Sequence, residues 1–187
     1  MPGLIDIHAH FLTNDYLAAM RSAGIDTVDG FPLPDWSAQS ALTLMDQWGI
    51  ETQILSISAP GIDFVRADAA RSLARDINEE LADIVARHRG RFGGFGILPL
   101  PDIDAALREA EHGLDKLHFA GIGLYTNIGG IYPGDRRLDP LFEELNRRKA
   151  VVYVHPVAPP GFDMARLGFP APTIEYPFDT TRNSYAF

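Results

Sequence analysis

The 187-residue sequence contains no cysteine. Disulfides, thiolate metal sites and a thiol nucleophile are thereby excluded. No apolar run approaches the roughly 18 residues that suggest a membrane-spanning helix. The opening MPGLIDIHAH has neither the basic segment nor the long apolar core of an export signal, so the chain is expected in the cytoplasm. Positive charge is scarce: 16 Lys and Arg stand against 25 Asp and Glu, a formal net charge of −9. Such a surface argues against nucleic acid and anionic membranes as partners. It says nothing against a small anionic substrate, which responds to the local field of its pocket. Also missing are internal repeats, low-complexity tracts, the G-x-G-x-x-G dinucleotide fingerprint, a G-x-S-x-G elbow and a P-loop. What remains is an ordinary globular composition, 46% hydrophobic and 22% charged, in a chain long enough for one sizeable core.

The apolar pattern alternates between strand and helix. Strands are expected at Leu4–His8, Thr52–Ser58, Phe92–Leu98, Gly121–Thr126 and Val151–His155. After the first comes an irregular excursion over residues 11–35. Asp35 is the expected cap of a helix carrying Ala41, Leu44, Met45 and Trp48 on one stripe, with Gly49 as terminator. A long helix places Ala70, Leu73, Ala74, Ile77, Leu81, Ile84 and Val85 at 3.6-residue spacing and closes on Arg87 to Gly90. Asp102 opens a helix with Ala106, Ala110, Leu114 and Leu117 inward. Asp139 and Pro140 read as N-cap and first residue of the next. A final helix is expected over Phe178–Phe187, with Asp179-Thr180-Thr181-Arg182 at its N-terminus and Asp179 as cap. Repeated strand–helix units imply a parallel sheet with right-handed crossovers, either an open doubly wound sheet or a β/α barrel. A complete barrel has eight units and about 250 residues. Only five strands are counted here.

Asp6-Ile7-His8-Ala9-His10 carries the strongest chemical signal. Alternation along a strand puts His8 and His10 on one face, with Asp6 one layer below. Two imidazoles at a strand end can hold a divalent cation. His155 ends the apolar run Val151-Val152-Tyr153-Val154, the same relative place on its own strand. Three histidines suit Zn²⁺, with Mn²⁺, Fe²⁺ or Co²⁺ possible, and a carboxylate and a water would complete a catalytic site. Asp6 is either a partner for an imidazole N–H or a carboxylate tied to backbone. Ser56, Ser58, Tyr125, Thr126 and Asn127 end strands and are placed to surround a ligand. Phe11, Tyr16, Phe31 and Trp36 either wall an aromatic pocket or pack the excursion. His88, His112 and His118 read as structural or surface histidines, and Arg182 is a minor candidate for clamping a carboxylate.

The opening D-I-H-A-H, the segment Ile54 to Gly61, the run Val151 to Pro156, the helix Asp139 to Leu145 and the tail Tyr176 to Arg182 resemble the amidohydrolase-2 family of aminocarboxymuconate-semialdehyde decarboxylase-like enzymes. Within it the likeness is strongest to the 6-methylsalicylate decarboxylases. The resemblance implies an α/β fold, a TIM barrel of the metal-dependent hydrolase type with about the first five βα units present. It implies a metal-dependent, non-oxidative decarboxylase of an aromatic or conjugated carboxylic acid, without organic cofactor. A metal-dependent hydrolase of a lactone, ester or amide, and a non-catalytic binding domain, are the alternatives. His8, His10 and His155 match three of the family's metal ligands, for zinc first and manganese second. Asp6 is expected behind them, and Phe11, Ser58, Tyr125 and Asn127 against a small carboxylic acid. A catalytic histidine and an aspartate ligand are expected beyond Phe187. Residues 1–187 are thus expected to be one incomplete barrel domain, part of a longer, homo-oligomeric protein, and to self-associate through open sheet edges when isolated.

Overall fold

The computed structural model describes residues 3–162 and 168–185. Strand β1 (Leu4–His10) leads into α1 (Asn14–Ser22) and a small hairpin, β2 (Thr27–Val28) with β3 (Phe31–Pro32). Then come α2 (Ala38–Trp48), β4 (Ile50–Ser56), α3 (Ala67–Arg87), β5 (Phe92–Gly96) and α4 (Ile103–Glu111). The chain continues through β6 (Gly121–Tyr125), α5 (Asp139–Arg148), β7 (Val152–His155) and α6 (Ala171–Tyr185). The large sheet is entirely parallel, in the order β1-β4-β5-β6-β7. Each strand joins the edge left by its predecessor and the order never reverses. A doubly wound sheet reverses at a switch point, whereas a barrel advances in one direction, so the five strands form a curled part of a TIM barrel.

Helices cover the outer face. One apolar cluster joins α1, α2 and α3 to the first strands through Met20, Met45, Leu55, Ile77 and Leu81. A second joins α4 and α5 to β6 through Ala106, Ala110, Ile122, Leu141 and Leu145. The centre of the sheet lets helices approach closely. A Cβ added to Gly94 would lie 2.7 Å from Leu81, and one on Gly96 would lie 2.9 Å from Phe119. Asn78 of α3 brackets the end of β5, donating to the Ile97 carbonyl and accepting from its N–H, both at 2.9 Å. It also donates to Glu109 of α4, which pairs with Arg75 at 2.7 Å. The inner face carries His8 and the stacked rings of Phe95 and Tyr153, 5.2 Å apart. Ile5 and Ile7 of β1 are exposed, 66% and 56%.

Several boundaries differ from those expected. The excursion holds α1, whose N-terminus Thr13 caps by accepting from the Tyr16 N–H, and the hairpin, whose turn Asp29-Gly30 has φ of 53° and 93°. Such paired positive values make the two-residue turn that Asp-Gly favours. Ser37, not Asp35, caps α2, in a reciprocal arrangement with Ser40. On its stripe Ala41 and Met45 are buried, but Leu44 and Trp48 are 47% and 66% exposed. Gly49 does end α2 in the left-handed conformation, so β4 starts at once at Ile50, earlier than expected. The 3-10 turn Arg136–Leu138, capped by Asp135, leads into α5. Asp139 therefore is the first helical residue and no cap.

The largest correction concerns α6. It begins at Ala171 and runs through Pro177, so Asp179-Thr180-Thr181-Arg182 lies inside the helix and Asp179 caps nothing. Proline inside a helix removes one backbone bond. Buried side-chain bonds made by Asp179 offset that loss. The last two residues of the expected helix, 186 and 187, lie outside the described residues. No helix among the described residues is long and apolar enough to cross a membrane.

Candidate metal centre

β1 and β7 are the two edges of the sheet, and its curl brings their C-terminal ends together. The Nε2 atoms of His8 and His10 are 3.1 Å apart, as are those of His10 and His155. One ligand atom from each residue lies within 4.8 Å of both others. An ion with tetrahedral bonds of 2.0–2.1 Å to nitrogen holds its ligands roughly 3 Å apart, so the spacing fits. Local bonding anchors the His10 ring. Its Nδ1 lies 3.3 Å from both the carbonyl and the hydroxyl of Ser56. When Nδ1–H donates to the carbonyl, the Nε2 lone pair faces the other imidazoles. His155 is 4% exposed, and among the described residues its Nδ1 has no hydrogen-bond partner. Its backbone is held by β6: Tyr125 pairs with His155 in register, and the Thr126 N–H donates to the His155 carbonyl. The three histidines can hold a divalent metal ion.

Asp6 acts through the strand. Its Oδ1 accepts from the His8 backbone N–H and its Oδ2 from Gln53 Nε2, both at 3.0 Å. These bonds set the pitch of β1 just before the two histidines.

Burial, and then the charge of His8, lowers the His10 pKa, only partly opposed by the Ser56 carbonyl and Asp6. Burial, followed by His10 and His8, pushes His155 down to about 3. The folded, metal-free chain therefore binds fewer protons here than the unfolded chain, whose histidines titrate near about 6.5. Stability contributed above that pH is lost as the pH falls towards the folded values. For His155 the slope approaches about 1.4 kcal/mol per pH unit between roughly pH 6 and 4. The carboxyls of Asp29 and Asp63, raised by burial, act with the opposite sign. Urea midpoints of metal-free wild type and His155→Gln should therefore converge on acidification. Parallel curves would show that His155 is not held neutral.

A cavity of about 440 Å³ opens over the histidines. Its walls are mostly apolar: Leu12 and Met20 on one side, Val28, Phe31 and Leu33 from the hairpin, and Tyr176 from α6. Ser58 lines it too. Tyr16 reaches it, its hydroxyl donating to the Gly61 carbonyl at 2.8 Å. The other residues expected against a ligand are placed differently. Phe11 is fully buried in the core, its ring 6.1 Å from Trp36. The Tyr125 hydroxyl lies 3.1 and 3.3 Å from the carbonyls of Ile57 and Ser58. Asn127 donates to Asp179 at 2.8 Å. Sequence reasoning did not single out Asp29, the one carboxylate on the cavity wall among the described residues. The Asp-Gly turn signal was there to be read. His112 pairs with Glu79 at 2.6 Å, and His88 ends α3.

Comparison with known proteins agrees with this geometry. The family model described as "Amidohydrolase" matches residues 5–183. The chain is 41% identical over 191 residues to the decarboxylase yanB of Aspergillus niger, which covers 96% of this chain and 52% of that protein. It is 34% identical to the 6-methylsalicylic acid decarboxylase acuB of Aspergillus aculeatus, over 96% of this chain and 56% of that one. A solved dihydroxybenzoic acid decarboxylase from Polaromonas, with bound manganese and the inhibitor 2-nitroresorcinol, superposes with a TM-score of 0.81 at 28% identity. That match covers 100% of this chain and 60% of the other. A solved amidohydrolase II gives a TM-score of 0.91 at 28% identity, over 98% and 60%. The chain spans about half the length of the curated relatives it matches.

Proposed function

The chain belongs to the amidohydrolase family, and on that premise we propose that it forms the metal-binding part of a non-oxidative decarboxylase of aromatic hydroxy acids. The observation that carries this reading is the set of three converging imidazoles beneath a mostly apolar cavity. His8, His10 and His155 are the ligands in it. Zinc suits three imidazole nitrogens, and manganese, the ion in the Polaromonas relative, is the alternative. Elemental analysis of native-length protein distinguishes them.

When bound, the ion supplies a Lewis acid for the carboxylate and neighbouring hydroxyl of the substrate. The chain's own residues do the rest of the positioning. Ser56 anchors the His10 ring at Nδ1 through its carbonyl and hydroxyl, and Asp6 with Gln53 bonds to the strand that presents both histidines. The apolar walls pack on an aromatic ring and keep water from it, which strengthens every polar contact inside. In the reaction a proton adds to the ring carbon bearing the carboxylate. The bond to that carboxylate then breaks, its electrons return to the ring and CO₂ leaves. The acid for this step is expected beyond Phe187.

Native-length protein incubated with divalent metal and a panel of substituted salicylates should release CO₂ and the matching phenol, read by chromatography. No turnover across the panel would count against a decarboxylase. Product that retains its carboxylate and contains oxygen from water would mark a hydrolase.

A further inference from the structure

Asp29 is an unusual turn residue. The two central positions of a hairpin normally offer their side chains to water. Here the hairpin folds over the histidine cavity, and the Asp29 carboxylate is half-buried on its wall. Its backbone is fixed by the turn, at φ 53° beside Gly30 at φ 93°. Its Oδ2 accepts the hydroxyl hydrogen of Tyr176 from α6, a residue 147 positions away whose ring also faces His155, at 6.1 Å between centroids. Oδ1 has no protein partner among the described residues. Two elements thus meet at a carboxylate on a mostly apolar wall, and one of its oxygens is left without a protein partner among the described residues. The other hairpin residues on that wall, Val28, Phe31 and Pro32, have apolar side chains.

We infer that Asp29 is the specificity-determining acceptor of the site. It accepts a hydrogen bond from a ring hydroxyl on the substrate and rejects a ring bearing a second carboxylate. This rests on the decarboxylase reading for the identity of the ligand's first carboxylate, which the histidine end takes. Tyr176 is a positioning residue that holds the Asp29 side chain. The substrate class is then a hydroxylated aromatic monocarboxylic acid. Charge explains the discrimination. A carboxylate is a strong acceptor for a phenolic O–H, and in a weakly polar wall it repels a like charge more than it would in water.

The test uses native-length, manganese-loaded protein and pairs of ligands that differ only in one group: meta-hydroxybenzoate against isophthalate, and para-hydroxybenzoate against terephthalate. Calorimetry should show the hydroxyl member of at least one pair bound about tenfold or more tightly. In Asp29→Asn the preference should fall about tenfold or reverse. Asparagine tolerates the left-handed turn position and can still accept from Tyr176, so the fold is retained. Tyr176→Phe should keep the order of preference and narrow it. Preferences within about twofold of wild type in Asp29→Asn would overturn the proposal, as would a reversal in Tyr176→Phe alone. Binding needs no turnover. Selective binding here, together with no turnover of any salicylate in the panel, would sink the decarboxylase reading and leave the Asp29 preference standing.

Discussion

Native-length protein carrying His155→Ala should be purified with almost no bound metal. His155 is buried at the end of β7, so neither water nor a mobile surface group readily takes its place. Its Nε2 faces that of His10 at 3.1 Å, and removing it leaves two imidazoles on one strand. Loss of an inner ligand should exceed the roughly 10–100-fold cost typical of altering an outer partner. Asp6→Asn provides that comparison. It keeps an oxygen for the His8 N–H but no longer offers a carboxylate to Gln53, so its affinity should fall within about 10–100-fold. Elemental analysis after dialysis, with circular dichroism to verify folding, reads both variants. Wild-type metal content in His155→Ala would remove His155 from the ligand set.

Asp179→Ala should be among the most destabilising single changes in the chain. The carboxylate is fully buried and accepts from Thr126 Oγ1 at 2.5 Å, Asn127 Nδ2 at 2.8 Å and the Tyr132 hydroxyl at 2.5 Å, with Arg182 at 3.3 Å. Thr126 and Asn127 are themselves 1% and 5% exposed. Alanine leaves their donors without an acceptor, at about 1–3 kcal/mol for each stranded group. A total loss of roughly 3–5 kcal/mol follows, on the scale of breaking a buried charged network. Arg182 adds little, being 48% exposed. For a protein of this size the melting temperature should drop by about 6–20 °C. A drop under about 3 °C would mean that water replaces the carboxylate at little cost. The effect should reach the metal centre. The Thr126 hydroxyl also accepts from the Val157 N–H, two residues beyond His155, and Asp179 lies one turn from Tyr176 on the same helix.

These two residues also mark what the sequence revealed and what it concealed. His8 and His10 were legible because strand alternation fixes their common face, and His155 because an apolar run ends on it. Those are local rules. The parallel sheet was legible from repeated strand–helix units, but these left a barrel and a doubly wound sheet both open, and the barrel came from the family resemblance. Asp179 read as a cap because a proline two residues earlier suggests a helix start. Its true partners lie 47 to 53 residues away, and no local pattern announces them. Asp35 and Ser37 are both residue types that cap helices well, and local sequence does not choose between them. The Ser37–Ser40 bonds decide the start of α2. Asp29 illustrates a different difficulty. Asp-Gly announces a turn, but whether the turn faces water or a cavity depends on what packs against it.

His10 and His155 also make the three-nitrogen cluster a gauge of curvature. Four inter-strand gaps separate β1 from β7, about 19 Å along the sheet at the usual ~4.8 Å spacing, yet their imidazole nitrogens are 3.1 Å apart. The cluster is a chord drawn across an arc. A chord shortens or lengthens wherever the arc is bent, so its length integrates the packing of every strand between its ends. Gly94 and Gly96, at the midpoint and against Leu81 and Phe119, bear on that arc while touching none of the three nitrogens. The spacing of the nitrogens thus depends on how closely α3 rides on the middle strand as well as on the histidines themselves.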